Sequence, residues 1–233
     1  CFSASIKFLS SYKSKPSRLS SGSRFSVVRC LDFSHQDGLE VGRLSALIID
    51  KMRKCALSIY SLFMNEEMVY PGQGPLFRPA TAYPEYPFGE NGYADGENAV
   101  YDGVRKLFHL SGLDVENYGT SNWNPLGKYV RHGDRVLVKP NLVMHANPTG
   151  NGTDCLYTHP SVIAAVVDYV AIALSGTGSI VLADAPMQSC DFDALVRESG
   201  LSELVAWYRE RGLNISLKDM RGLKSNYESG RLE

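Results

Sequence analysis

The stretch GDRVLVKPNLV at residues 133–143 decides the fold. Gly133-Asp134 is turn chemistry, Arg135 to Lys139 is a short β-branched and aliphatic run, and Pro140, which lacks the N–H that a ladder requires, ends the strand at Lys139. Working outward, THPSVIAAVVDYV at 158–170 opens a helix. Thr158 or His159 caps it, and Pro160 falls in the first turn, where a missing N–H is harmless. Val162, Val166, Val167, Val170 and Leu174 make its buried stripe, and Gly176 and Gly178 close it. SIVLAD at 179–184 is an apolar run long enough for a buried strand and too short for a helix. Asp191 caps a helix ending at Gly200, Ser202 caps another running to Gly212, and NISLKD at 214–219 reads as a third strand. The order β-α-β-α-α-β makes the strands parallel and joined by right-handed crossovers. The expected fold class is therefore α/β, an open parallel, Rossmann-like sheet with flanking helices, assigned to residues 95–233.

Upstream, the chain falls into unlike parts. Residues 1–38 form a basic, Ser-rich leader, with Lys7, Lys13, Lys15, Arg18, Arg24 and Arg29 and no acid before Asp32, and are expected to be poorly ordered. This is transit-peptide composition, so organelle targeting is the alternative to a cytoplasmic location. In residues 39–66, Leu44, Leu47, Ile48, Met52, Cys55, Ile59 and Leu62 recur at helical spacing, which predicts an amphipathic helix. Residues 67–94 interleave Pro71, Pro75, Pro79, Pro84 and Pro87 with Phe77, Tyr83, Tyr86 and Phe88. That pattern predicts an extended strap laid across its own domain or, alternatively, a docking segment for a partner. Glu97 or Asn98 then caps a helix carrying Val100, Val104, Leu107 and Phe108, and the turn-rich loop GTSNWNPLG follows at 119–127.

With 233 residues, 44% hydrophobic and 21% charged, the chain is long and apolar enough for a core, which excludes wholesale disorder and a disulfide miniprotein. A net charge of −1 provides no global basic field, so nucleic acid is not an expected partner. No run approaches the ~18–20 apolar residues of a membrane span, so no membrane partner is expected either. Cys1, Cys30, Cys55, Cys155 and Cys190 show no CxxC spacing, so no iron–sulfur or zinc motif is written here, and free thiols suit a reducing, cytoplasmic compartment. GxGxxG, GxxxxGK[ST], GxSxG and HExxH are all absent.

Ligands of open α/β sheets bind beyond the carboxyl ends of the strands. That rule selects Lys139 and Asn141, with His145 farther on, after the first strand; Asp184, Gln188, Ser189, Cys190 and Asp191 after the second; and Thr158 and His159 at the start of the crossover helix. Lys139, Asn141 and the helix N-terminus suit an anionic ligand. Asp184 then ligates a cation, orients His159 or acts as a base, so Asp184, His159 and Lys139 are the candidate catalytic groups. Structural roles compete: Lys-Pro-Asn and Asp-Ala-Pro can be Asx turns, His159 a helix cap, and Cys190 a packed thiol rather than a thiolate stabilised at a helix start.

The strings PEYPFGE, NAVYDGVRKLF, YGTSNWNPLG, GDRVLVKPNLV, THPSVIAAVVDYV and IVLADAPMQSCDF, in that order over residues 83–221, resemble the bacterial and archaeal family called domain of unknown function 362 (DUF362). The resemblance implies a stand-alone bacterial type, some relatives of which occur near surface-polysaccharide genes while others carry ferredoxin-like iron–sulfur modules. It also implies a domain that continues past residue 233, so the chain is expected to be C-terminally truncated. Three functions follow as expectations: binding of a phosphorylated or carboxylated small molecule, redox work with a ferredoxin-type partner, or a scaffold that docks through the strap.

Overall fold

The computed structural model describes residues 2–9, 25–32, 58–65, 70–71, 78–89, 97–150, 152–153, 155–222, 227–228 and 231–232. In chain order the elements are β1 (Phe2–Leu9), β2 (Phe25–Asp32), β3 (Ser58–Asn65), α1 (Ala99–Leu110), a 3-10 turn at Val115–Asn117 and β4 (Arg135–Lys139). They continue with α2 (Pro160–Leu174), β5 (Ser179–Asp184), α3 (Phe192–Glu198), α4 (Leu201–Glu210), β6 (Ile215–Asp219), β7 (Tyr227–Glu228) and β8 (Arg231–Leu232).

The three strands expected from the periodicity are present and parallel, with Val138 paired to Leu182 and Asp184 to Asp219. They belong to a larger mixed sheet of order β3-β1-β2-β4-β5-β6. In it β2 runs parallel to β4, while β1 runs antiparallel to both of its neighbours. This corrects two expectations. The leader carries β1 and β2, because Phe2, Ala4, Ile6 and Phe8 alternate with Ser3, Ser5 and Lys7 at the strand period, a signal that the serine-rich composition concealed. The helix expected over 39–66 gives way to strand at Ser58–Asn65, where Ile59, Tyr60 and Phe63 are good strand formers. The rest of that expected helix, residues 39–57, lies outside the described residues.

Local chemistry sets the helix ends. Asn98 caps α1, its side chain accepting from the Tyr101 N–H at 3.1 Å. His159 caps α2 with Pro160 in the first turn. Asp191 caps α3, but Gly200 in the left-handed region precedes α4, and Ser202 lies inside that helix. The starts of β4 and β5 are joined through the Ser179 N–H, which donates to the Asp134 carbonyl at 3.1 Å. A Cβ on Gly178 (φ +89°) would stand 2.3 Å from that same oxygen, so only glycine fits the approach.

Helix α2 is buried along nearly its whole length, with only Ala171 and Ile172 partly open, which is why a single stripe understates it. Among its buried side chains is Asp168, which accepts from the Tyr208 O–H at 2.5 Å. Burial pushes this carboxyl up to about 8. Residues 78–89 of the strap are held against the helices by an ion pair. The Arg105 guanidinium donates to both Glu85 oxygens, at 2.7 and 3.3 Å, and to the Tyr118 hydroxyl at 2.7 Å. It lies over the rings of Tyr83, Tyr118 and Trp123, with Tyr83 the nearest at 4.3 Å. The Tyr169 O–H donates to Glu85 at 3.1 Å, and Phe88 packs edge-on to Trp207.

Two predictions follow from these buried charges. Glu85→Ala strands the Arg105 charge, and denaturant unfolding should show a loss of roughly 3–5 kcal/mol. Asp168 binds its proton more tightly folded than unfolded, so its contribution is complete below about pH 4 and is lost as pH rises to about 8. Stability measured across that window should fall by up to about 1.4 kcal/mol per pH unit in the wild type, and Asp168→Asn should flatten the slope.

Candidate functional site

Beyond β4 the chain leaves the sheet as an arm and returns at α2. The Asn141 N–H donates to Thr158 Oγ1 at 2.9 Å, and the Thr158 N–H donates back to the Asn141 carbonyl at 2.8 Å. Leu142 and Tyr157 then form an antiparallel bridge. Thr158 is buried and holds the backbone of Asn141 at the base of this arm. The His159 ring accepts from the Ser161 N–H through Nδ1 at 3.3 Å, lies 2.8 Å from the Ser161 hydroxyl and stacks on Tyr70 at 4.0 Å. In its neutral form, acceptance at Nδ1 places the ring proton on Nε2.

Asp184 ties the arm to the sheet. Its carboxylate accepts from Lys139 Nζ at 2.5 Å and from the Leu142 and Ala185 N–H groups at 2.7 Å each. Three of its roughly four acceptor positions are thus engaged, and the group is only 4% exposed. Its backbone carbonyl also accepts from the Met220 N–H at 2.8 Å, just past β6. Lys139 and Asp184 therefore come together as the strand-end rule expects, while Asp184 is occupied as the fastening of three chain segments.

The loop from Pro186 to Asp191 lies on the arm. The Met187 N–H donates to the Val143 carbonyl at 3.0 Å, the Asp191 N–H to His145 Nδ1 at 3.1 Å, and the Ser189 hydroxyl faces the Met144 sulfur at 3.9 Å. Gln188 and Ser189 are exposed. Asp191 accepts from the Ala194 N–H at 3.0 Å, a bond that holds its carboxyl below the usual range. Cys190 is buried, and burial pushes its thiol up, against the thiolate that a helix start suggested.

The residue missed at the sequence level is Arg221. It pairs with Asp219 through Nη2 at 2.5 Å, and its Nη1 donates to the carbonyls of Met187 at 2.8 Å, Gln188 at 3.3 Å and Cys190 at 2.8 Å. Its side chain is 2% exposed. The signal was available, since Asp219 ends the third strand just as Lys139 and Asp184 end the first two. Among the described residues, no three His, Cys, Asp or Glu side chains stand together as metal ligands, and no helix is long and apolar enough to cross a membrane.

Every candidate residue so far named, from Lys139 to Arg221, falls in one continuous stretch. Residues 136–226 match DUF362, a domain of unknown function. The DUF362 stretch begins inside β4 and ends past β6, so it contains the whole strand-end cluster. The strings PEYPFGE and YGTSNWNPLG lie outside it. No curated protein and no solved structure matches the chain.

Because Asp184 fastens these segments, Asp184→Ala should cost roughly 3–5 kcal/mol in urea unfolding, leaving the Lys139 ammonium and the buried Leu142 N–H without their partner. Asp184→Asn keeps one acceptor oxygen but turns a donor toward either the Leu142 N–H or the Lys139 and Ala185 donors, so it should not restore the wild-type stability.

Proposed function

We propose that the DUF362 domain binds an anionic small molecule, phosphorylated or carboxylated, over the carboxyl ends of β4, β5 and β6. The observation that carries this reading is Lys139. Its side chain is 26% exposed at the strand exit, and Asp184 engages one of the three donors of its ammonium. The remaining donors are available to an anion without breaking that pair. His145 and His159 border the same end of the sheet, and with Nδ1 accepting, each neutral ring carries its proton on Nε2. The charges of Asp184 and Asp219 are each matched by a cation, so an incoming anion meets no unpaired carboxylate from those two strand ends. Tyr86, buried, and Tyr83 and Phe88, partly buried, pack inward, which favours this reading over a scaffold that docks through the strap.

Isothermal titration calorimetry with inorganic phosphate, pyrophosphate and citrate tests the proposal. At least one should bind saturably, and Lys139→Met, which keeps the aliphatic stem, should weaken it by tenfold or more, about 1.4 kcal/mol. Saturable binding of none of the three anions, or equal affinity in a Lys139→Met protein that still folds, overturns it.

A further inference from the structure

Each of the three parallel strands is followed closely by a methionine. Met144 comes after β4, which ends at Lys139, Met187 after β5, which ends at Asp184, and Met220 directly after β6. These are all the methionines that the sequence holds beyond Met68, so one kind of side chain is gathered at one edge of the sheet.

Their backbones are fixed by the fastenings of the strand-end region. The Met220 N–H donates to the Asp184 carbonyl at 2.8 Å, and the carboxylate of that same residue holds Lys139 Nζ at 2.5 Å. The Met187 N–H donates to the Val143 carbonyl, one residue before Met144, and the Met187 carbonyl accepts from Arg221 Nη1 at 2.8 Å, one residue after Met220. The side chains are placed differently. Met144 is partly buried against the core, while Met187 and Met220 are 55% and 48% exposed. Four large apolar side chains stand exposed among the described residues, and the other two, Leu110 and Val115, flank the turn after α1, outside the DUF362 stretch. A single exposed apolar side chain needs no explanation, but two on anchored backbones beside a half-occupied ammonium are apolar surface that the fold itself does not use.

This pairing selects the chemistry. Small-molecule sites combine apolar walls with a few polar groups that fix orientation, and methionine, unbranched and polarisable, moulds itself to apolar ligands of many shapes. Lys139 calls for an anionic head, and Met187 and Met220 call for an apolar body attached to it. An anion hydroxylated throughout would leave both methionines in water. We propose that the strand-end site takes a phosphate or carboxylate that carries a hydrocarbon chain, with Lys139 holding the head and Met187 and Met220 covering the chain. This rests on the anion-binding role of Lys139 and names the class of anion.

Calorimetry on the full chain with two matched pairs tests it: methyl phosphate against octyl phosphate, and acetate against octanoate, all below their micelle concentrations. In at least one pair the eight-carbon member should bind about tenfold or more tighter, since each methylene taken from water raises affinity about fourfold. A double variant, Met187→Gln with Met220→Gln, alters exposed side chains and keeps their length. It should cut that ratio about threefold or more while leaving the short anion unchanged. Equal binding of the short and long members, or a ratio unchanged in the folded double variant, overturns the proposal and leaves anion binding at Lys139 standing. Binding of neither member of either pair, or long-chain binding undiminished in Lys139→Met, overturns both. Sedimentation of the protein with phosphatidylglycerol vesicles when octyl phosphate does not bind assigns the methionines to a membrane surface and also overturns it.

Discussion

The strand-end region depends on one carboxylate. Asp184 is the last residue of β5, and it reaches sideways to Lys139 at the end of β4 and upward to the Leu142 N–H in the departing arm. Parallel strands create this problem, because every chain leaves the sheet at the same edge and each exit exposes backbone donors that the ladder no longer uses. A buried carboxylate answers it with several acceptor positions in one place. Its charge is tolerable there because a lysine amine stands 2.5 Å away. Arg221 solves the mirror problem. The β5–α3 loop exposes carbonyls rather than N–H groups, and a guanidinium, which only donates, gathers three of them while Asp219 balances its charge.

The helical layer holds its charges by different means. Glu85 and Arg105 are paired and enclosed by aromatic rings, so the strap can cross the domain without leaving an ion alone. Asp168 accepts from a tyrosine hydroxyl, and no salt bridge to a cation is formed there among the described residues. A carboxyl in that environment resists ionisation, and its raised pKa is the consequence. The domain therefore carries two kinds of buried acid, one kept ionised by a partner and one pushed toward its neutral form.

The parallel β4-β5-β6 unit was legible because each strand is a short apolar run closed by a strong local signal: Pro140 after β4, Ala185-Pro186 after β5, and the turn formers before each. The caps at Asn98, His159 and Asp191 were legible for the same reason, since capping is read from a few adjacent residues. β1 and β3 were not. Their partners are each other and β2, and pairing across residues 2–65 is a tertiary fact that overrides a serine-rich composition or a weak helical stripe. Placement at the strand ends was also predictable, but the division of labour there was not. Which of Asp184 and Lys139 fastens the backbone and which faces outward depends on where the Leu142 N–H comes to rest, and that follows from the path of the arm.

That division of labour bears on how a ligand would act. The arm over β4 is held by Asp184, the loop over β5 is held by Arg221, and the two meet where the Met187 N–H donates to the Val143 carbonyl. The fastenings are buried, so a ligand need not supply the order of these loops and does not bear the full entropy of fixing them. What remains for it is the outward half of the lysine and the polar groups around it. The ion pair sets the Lys139 ammonium in one position, with its other donors turned away from Asp184.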